Sequence, residues 1–154
     1  MGVEIERKFL LAGDAWRSLG TPVLLRQGYL SSEKARVVRV RTEGDAGTLT
    51  IKGANSGATR GEWEYAIPLA DANELLDTLC EQPLIEKYRR RITFAGKIWE
   101  VDEFLGENAG LAFAEIELDD ENEAFDKPDW IGAEVTDDRR YYNANLIRHP
   151  FSRW

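Results

Sequence analysis

Short segments of this chain carry charged side chains at every second position, with apolar residues between them. The acids fall in pairs, Glu4/Glu6, Glu62/Glu64 and Glu115/Glu117, with Asp102 by itself. The bases form rows of their own, Arg39/Arg41 and Lys87/Arg89/Arg91, joined by Lys8 and Lys52. Carboxylates gathered on one surface are unstable unless a cation neutralises them, and a row of Arg and Lys asks for an anion. Mg²⁺ is typically held by one or two carboxylates together with phosphate oxygens and water. A metal–polyphosphate complex therefore meets both demands at once.

Few other ligand types are available. Cys80 and His149 are single, which excludes an internal disulfide, a Cys-based zinc site, a multi-His metal site and a His-dependent triad. A metal here must take carboxylate ligands, which selects hard cations, Mg²⁺ or Mn²⁺. The net charge of −8 argues against duplex nucleic acid as a partner. No apolar run approaches the roughly 20 residues that span a bilayer. Met1-Gly2-Val3-Glu4 has neither a basic leader nor an apolar core, and Glu6 stands where myristoylation wants Ser or Thr. The expectation is a cytoplasmic protein of one domain, residues 1–154, with no membrane partner.

Alternation at period two is the signature of strands whose faces differ. Strands are expected over Val3–Leu10, Leu24–Leu30, Arg36–Thr42, Gly47–Gly53, a segment around Glu62–Ile67, then Ile85–Phe94, Ile98–Leu105 and Ala112–Asp119. Glu43-Gly44-Asp45-Ala46 has the composition of a hairpin turn. Leu75, Leu76 and Leu79 set a helix over Asp71–Glu81, with Asp71 as N-cap and Pro83 as its stop. Asp138–His149 reads as a closing helix with Tyr142 and Leu146 facing inward, Tyr141 as a further candidate for that face, and Pro150 as its stop.

Any one of these strands is explained by a solvated sheet face. The set is not, because solvated faces mix their signs, and like charges opposite one another destabilise a sheet. The opposite faces carry Phe9, Trp63, Tyr65, Trp99 and Ile116, which need cover. An antiparallel barrel of about eight strands reconciles the two, with a charged lumen wide enough for a small ligand and helices packed outside. The fold class is α+β. An outer sheet face left bare would suit a homodimer.

Glu4-Ile5-Glu6-Arg7-Lys8 matches the E-x-E-x-K signature of the CYTH superfamily, the triphosphate tunnel metalloenzymes, and the rest of the chain resembles that family in order. Gln27-Gly28-Tyr29-Leu30, Arg39-Val40-Arg41, Leu49-Thr50-Ile51-Lys52-Gly53 and Glu62-Trp63-Glu64-Tyr65 follow. So do Glu86-Lys87-Tyr88-Arg89, Trp99-Glu100-Val101-Asp102, Ala114-Glu115-Ile116-Glu117-Leu118 and Glu134-Val135-Thr136. The resemblance implies an eight-stranded tunnel that binds triphosphates with Mg²⁺ or Mn²⁺. It implies metal ligands at Glu4, Glu6, Glu115 and Glu117, and a second acidic group of Glu62, Glu64 and Asp102 that binds metal or orients water. Asp102 is grouped with the metal ligands, and Lys8, Lys52, Glu62 and Glu64 with the catalytic residues. Lys8, Arg39, Arg41, Lys52, Lys87 and Arg89 are implied as phosphate contacts, with Tyr29 influencing which substrate reacts.

The implied activity is metal-dependent hydrolysis of a small-molecule triphosphate, first of all inorganic tripolyphosphate. Class IV adenylate cyclase and thiamine triphosphatase share the same motifs and stay as alternatives. A non-catalytic polyphosphate or nucleotide binding module is the alternative from another class. No base-recognition element stands out, and the retained carboxylates favour catalysis over plain anion binding.

Overall fold

A computed structural model of the protein describes residues 2–154; Met1, the first residue of the expected domain, lies outside the described residues. In chain order the strands are β1 (Gly2–Leu11), β2 (Val23–Ser31), β3 (Arg36–Glu43), β4 (Ala46–Gly53), β5 (Thr59–Ile67), β6 (Ile85–Phe94), β7 (Lys97–Phe104), β8 (Ala112–Glu117) and β9 (Ile131–Glu134). The helices are α1 (Leu69–Thr78) and α2 (Asn143–Leu146). The strands run β5-β4-β3-β2-β6-β7-β8-β1 around a closed antiparallel barrel, sealed by a β1–β5 pairing. β1 closes it because the strand is long enough to be shared. Gly2–Ile5 pair with β5, Glu6–Leu10 pair with β8 on the other edge, and Phe9–Leu11 take the short β9.

The expected barrel is present, with a ninth strand added. β9 escapes sequence reading because four residues are too few to show a period.

Apolar side chains on the outer face pack in two ways. Over β2, β3 and β4 lies α1, whose Ala72 and Leu76 are buried against Val40 and Leu49. That helix starts at Leu69 after Pro68, two residues before the expected cap, and no side chain caps it. Pro68 itself takes the cap position, so Asp71 falls inside the first turn, where its carboxylate suits the positive end of the helix. Elsewhere the cover is irregular chain rather than helix. Trp99 is fully buried, with Phe9, Phe125 and Trp130 edge-on at 5.5, 5.7 and 6.1 Å. Each such pair adds about 0.5–1.5 kcal/mol beyond its area. Trp16, from a 3₁₀ turn at Ala15–Ser18, completes that cluster. Arg90 is not solvated as its outer position suggests; it is half-buried, bonded to the Leu19 carbonyl at 3.3 Å, and lies over the Trp16 ring. Val3, Ile51 and Tyr65 stay 58, 36 and 56% exposed on the adjoining strands β1, β4 and β5, the bare outer face of this sheet.

The lumen is charged along only part of its length. Leu10, Ile85, Phe104 and Phe113 keep the phase of Lys8, Lys87, Asp102 and Glu115 on their strands, yet they form an apolar layer. Tyr141, Leu146 and Ile147 of the C-terminal segment pack onto that layer. The expected helix over Asp138–His149 is broken there. A 3₁₀ turn at Arg139–Tyr141 is capped by Asp138, Tyr142 is extended, and α2 is a single turn. Extended backbone at Tyr142 turns the two neighbouring rings apart. Tyr141 is buried in the apolar layer, and Tyr142 faces the lumen. No helix of the described residues is long and apolar enough to cross a membrane.

Gly28 lets α1 and the chain after it sit close on the barrel. A Cβ there would lie 2.7 Å from Leu84 Cδ2 and 2.8 Å from Cys80 Cβ. Gly28→Ala is therefore expected to destabilise the fold by about 1–3 kcal/mol, measured by urea unfolding. A change below about 0.5 kcal/mol, the range of a neutral surface substitution, would show that this contact is not tight.

Candidate active site

Inward-facing residues of all eight barrel strands line a cavity of about 290 Å³. Glu4, Glu6 and Lys8 enter from β1, Tyr29 from β2, Arg39 and Arg41 from β3, and Lys52 from β4. Glu62 and Glu64 enter from β5, Lys87 and Arg89 from β6, and Glu115 and Glu117 from β8. The strand period fixes this convergence, since residues two apart share a face.

One side of the cavity is acidic. Registration puts Glu6 directly opposite Glu117 and Lys8 opposite Glu115. Lys52 Nζ bonds Glu4 Oε2 at 2.8 Å and lies 3.5 Å from Glu62. Lys8 Nζ bonds Glu6 Oε1 at 2.8 Å and lies 3.6 Å from Glu115. Burial, and then the neighbouring Glu6, pushes the Glu4 carboxyl up to about 7 and that of Glu115 up to about 8. Burial together with Glu4 and Glu6 raises Glu117 as well. Burial is the largest influence on Glu6 and works against its ionised form, but Lys8, a hydrogen bond with Glu115 and Lys52 together outweigh it and hold Glu6 low. Two ammonium groups thus serve more carboxylates than they can neutralise.

The opposite side is basic, and its two β3 arginines have no anionic partner among the described residues. Arg39 is buried; its Nη2 donates to Thr50 Oγ1 at 3.3 Å, and its Nε has no partner. Arg41 donates through Nε and Nη2 to Gln27 Oε1 at 3.0 and 2.7 Å. Among the described residues neither arginine makes an ion pair. Burial first, then Arg39 and Arg89, lowers the Arg41 guanidinium to about 9. That is a large displacement for a group that ordinarily stays charged, and an anion would reverse it.

Asp102, expected among the metal ligands, is placed differently from the other acids. It does not line the cavity and is fully buried. Its Oδ1 accepts from Arg89 Nε at 2.7 Å, and its Oδ2 accepts from Arg89 Nη2 at 2.9 Å and lies 2.8 Å from Lys87 Nζ. Both oxygens are held by the basic row. Arg89 also reaches Glu100, while Arg91 bridges Glu43 and Glu100 nearer the surface.

The carboxylate oxygens are the right donors for a hard divalent cation, and their crowding calls for one. Among the described residues, however, no three acidic groups stand together as a metal site. Lys8 and Lys52 hold the carboxylates in their present arrangement.

Three participants were missed in the sequence: Gln27, Thr50 and Asn143. Gln27 and Thr50 share the phase of Tyr29 and Lys52, so strand parity could have found them. Asn143 gave no such signal, because it falls in a segment read as regular helix.

The CYTH domain model matches residues 2–145. The inorganic triphosphatase of Acetivibrio thermocellus is 56% identical over 154 residues, covering 100% of this chain and 99% of that protein. The inorganic triphosphatase of Nitrosomonas europaea is 37% identical over 147 residues, 93% of this chain and 95% of the relative. A crystal structure of an inorganic triphosphatase aligns with a TM-score of 0.66 at 34% identity, covering 93% of this chain and 96% of the other.

Asp102 provides a test of the buried network. Burial opposes its ionisation, but Arg89 and Lys87 prevail and depress its pKa. A carboxylate with a depressed folded-state pKa contributes stability in full above its unfolded pKa and loses it as pH falls through the folded value. Asp102→Asn should cost about 3–5 kcal/mol at pH 7 by urea unfolding, because two buried cations lose their counter-charge. The difference from wild type should start to shrink only below about pH 4. Equal stability at pH 7 would contradict this.

Proposed function

The chain belongs to the CYTH domain family, and from that premise we propose that it is an inorganic triphosphatase, splitting tripolyphosphate into diphosphate and phosphate with Mg²⁺ or Mn²⁺. The observation that carries this reading is the pair Arg39 and Arg41, without an ion pair among the described residues, facing a surplus of carboxylates across one cavity. The cavity's size supports it too. At about 290 Å³ it stands at the lower end of ligand pockets, roughly 300–1,000 Å³, which suits an inorganic anion better than a nucleotide.

Glu4, Glu6, Glu115 and Glu117 are the residues we assign to hold the cation. Bound there, it would neutralise charge on the phosphate oxygens and so make the terminal phosphorus more open to attack. Lys8 and Lys52, relieved of these carboxylates, turn their ammonium groups to phosphate as point charges. Arg39 and Arg41 take nonbridging oxygens with their planar forks, Arg41 braced by Gln27. Glu62 and Glu64 we assign to the attacking water, accepting its proton as its oxygen bonds to the terminal phosphorus. The phosphorus–oxygen bridge then breaks, and diphosphate leaves with the bridging oxygen. Asp102 acts through others here, aiming Arg89 and Lys87. Phosphoryl transfer depends mainly on such positioning and charge neutralisation.

Phosphate release from tripolyphosphate, ATP and thiamine triphosphate, with Mg²⁺ or Mn²⁺ and with EDTA, tests the reading. Tripolyphosphate should be the best substrate, and EDTA should abolish turnover. Cyclic AMP from ATP would instead make the protein a cyclase, and metal-dependent binding without turnover would make it a binding module. Glu117→Gln and Arg41→Ala should each lower kcat/KM about 10²–10³-fold, the effect of losing one preorganised charge contact. Activity retained within about threefold in either would remove that residue from the site.

A further inference from the structure

Asn143, the first residue of α2, reaches the basic side of the lumen from outside the barrel strands. Its Oδ1 accepts from Lys87 Nζ at 2.9 Å and from Gln27 Nε2 at 3.2 Å. We infer that Asn143 is a positioning residue: its amide oxygen fixes the Lys87 ammonium and the Gln27 amide, and thereby aims Lys87 and Arg41 at the substrate phosphates. This rests on the triphosphatase reading above and extends it to a residue beyond the barrel.

An ammonium has three N–H donors. Asp102 Oδ2 at 2.8 Å and Asn143 Oδ1 take two of those on Lys87. Among the described residues no other acceptor hydrogen-bonds it, so the third N–H is left for a ligand in the cavity that Lys87 lines. Without Asn143 the group could rotate about its own bond and keep only Asp102.

Gln27 is held just as tightly. Its Nε2 donates to Tyr29 Oη at 3.0 Å and to Asn143, while its Oε1 accepts twice from Arg41. A flipped amide would turn N–H donors toward a guanidinium that has only donors. Asn143 therefore selects the orientation that braces Arg41.

The residue type matters as much as its place. A carboxylate at this position would bond the same two donors but cancel positive charge beside the phosphates. A neutral oxygen orients the cations and leaves their charge for the substrate. The apolar packing of Tyr141, Leu146 and Ile147 holds the segment that carries it.

The test uses the full chain and tripolyphosphate with Mg²⁺, reading Kd by calorimetry and KM and kcat by phosphate release. Asn143→Ala should raise Kd and KM about tenfold, as expected for one lost hydrogen bond to a charged group. Asn143→Asp, equal in size, should raise both further. Asn143→Ala in a Lys87→Ala background should add no more than about threefold, because its main target is already gone. Values within about twofold of wild type for both Asn143 variants would overturn the inference, as would the full tenfold persisting without Lys87. If Asn143→Ala does not fold, Asn143→Asp decides alone, by weaker or unchanged binding. A wild type that binds no tripolyphosphate sinks the triphosphatase reading and the inference with it. Normal wild-type binding with unaffected Asn143 variants sinks the inference only.

Discussion

A guanidinium taken out of water needs an anion, and Arg39 and Arg41 have none among the described residues, while Glu4 and Glu115 across the lumen lack enough cations. The two deficits cannot cancel directly, since strand pairing fixes the groups on opposite walls. The protein relieves them only in part. Lys8 and Lys52 cover some of the carboxylates, Gln27 and Thr50 offer neutral oxygens to the arginines, and burial shifts Glu4, Glu115 and Arg41 toward their neutral forms. In the proposed reading, a ligand that is anionic at its oxygens and accompanied by a divalent cation would complete both sides.

Holding unbalanced charge in a fixed place takes a rigid frame. The closed barrel provides it, with each of its eight strands β1–β8 paired on both edges over at least part of its length. Outside, the Trp99 cluster and α1 pack against the walls; inside, Phe104 and Phe113 belong to an apolar layer that continues the lumen beyond its charged part. Asp102 joins these levels. Fully buried next to that layer, it ties Arg89 and Lys87 into a fixed basic row. Its role is closer to that of a rivet than of a ligand.

Much of this was legible in the sequence because strands write their faces at period two. The pairs Glu4/Glu6, Arg39/Arg41, Glu62/Glu64, Lys87/Arg89 and Glu115/Glu117 all line the cavity, as their phase requires. Phase alone could not separate Asp102 from the rest. It shares a face with Glu100, but depth along the lumen, which sets its partners, comes from the barrel's stagger. The same blindness hid the apolar layer, where Leu10 and Phe113 continue the phase of charged neighbours. The C-terminal segment was misread for another reason. Its helical pattern is real in composition, but extended Tyr142 interrupts it so that Tyr141 can enter the apolar layer and Asn143 can reach Lys87. Such tertiary demands override local propensity and leave no periodic trace.

If metal and triphosphate each complete the other's half of a single cavity, neither is bound independently of the other. Their binding must then be coupled, and linkage requires the coupling to be reciprocal. Calorimetric titration of tripolyphosphate at rising Mg²⁺, corrected for complex formation in free solution, measures it. Each ligand should strengthen the other's binding by the same factor, about tenfold or more. Affinities for triphosphate that do not change with Mg²⁺ would contradict it.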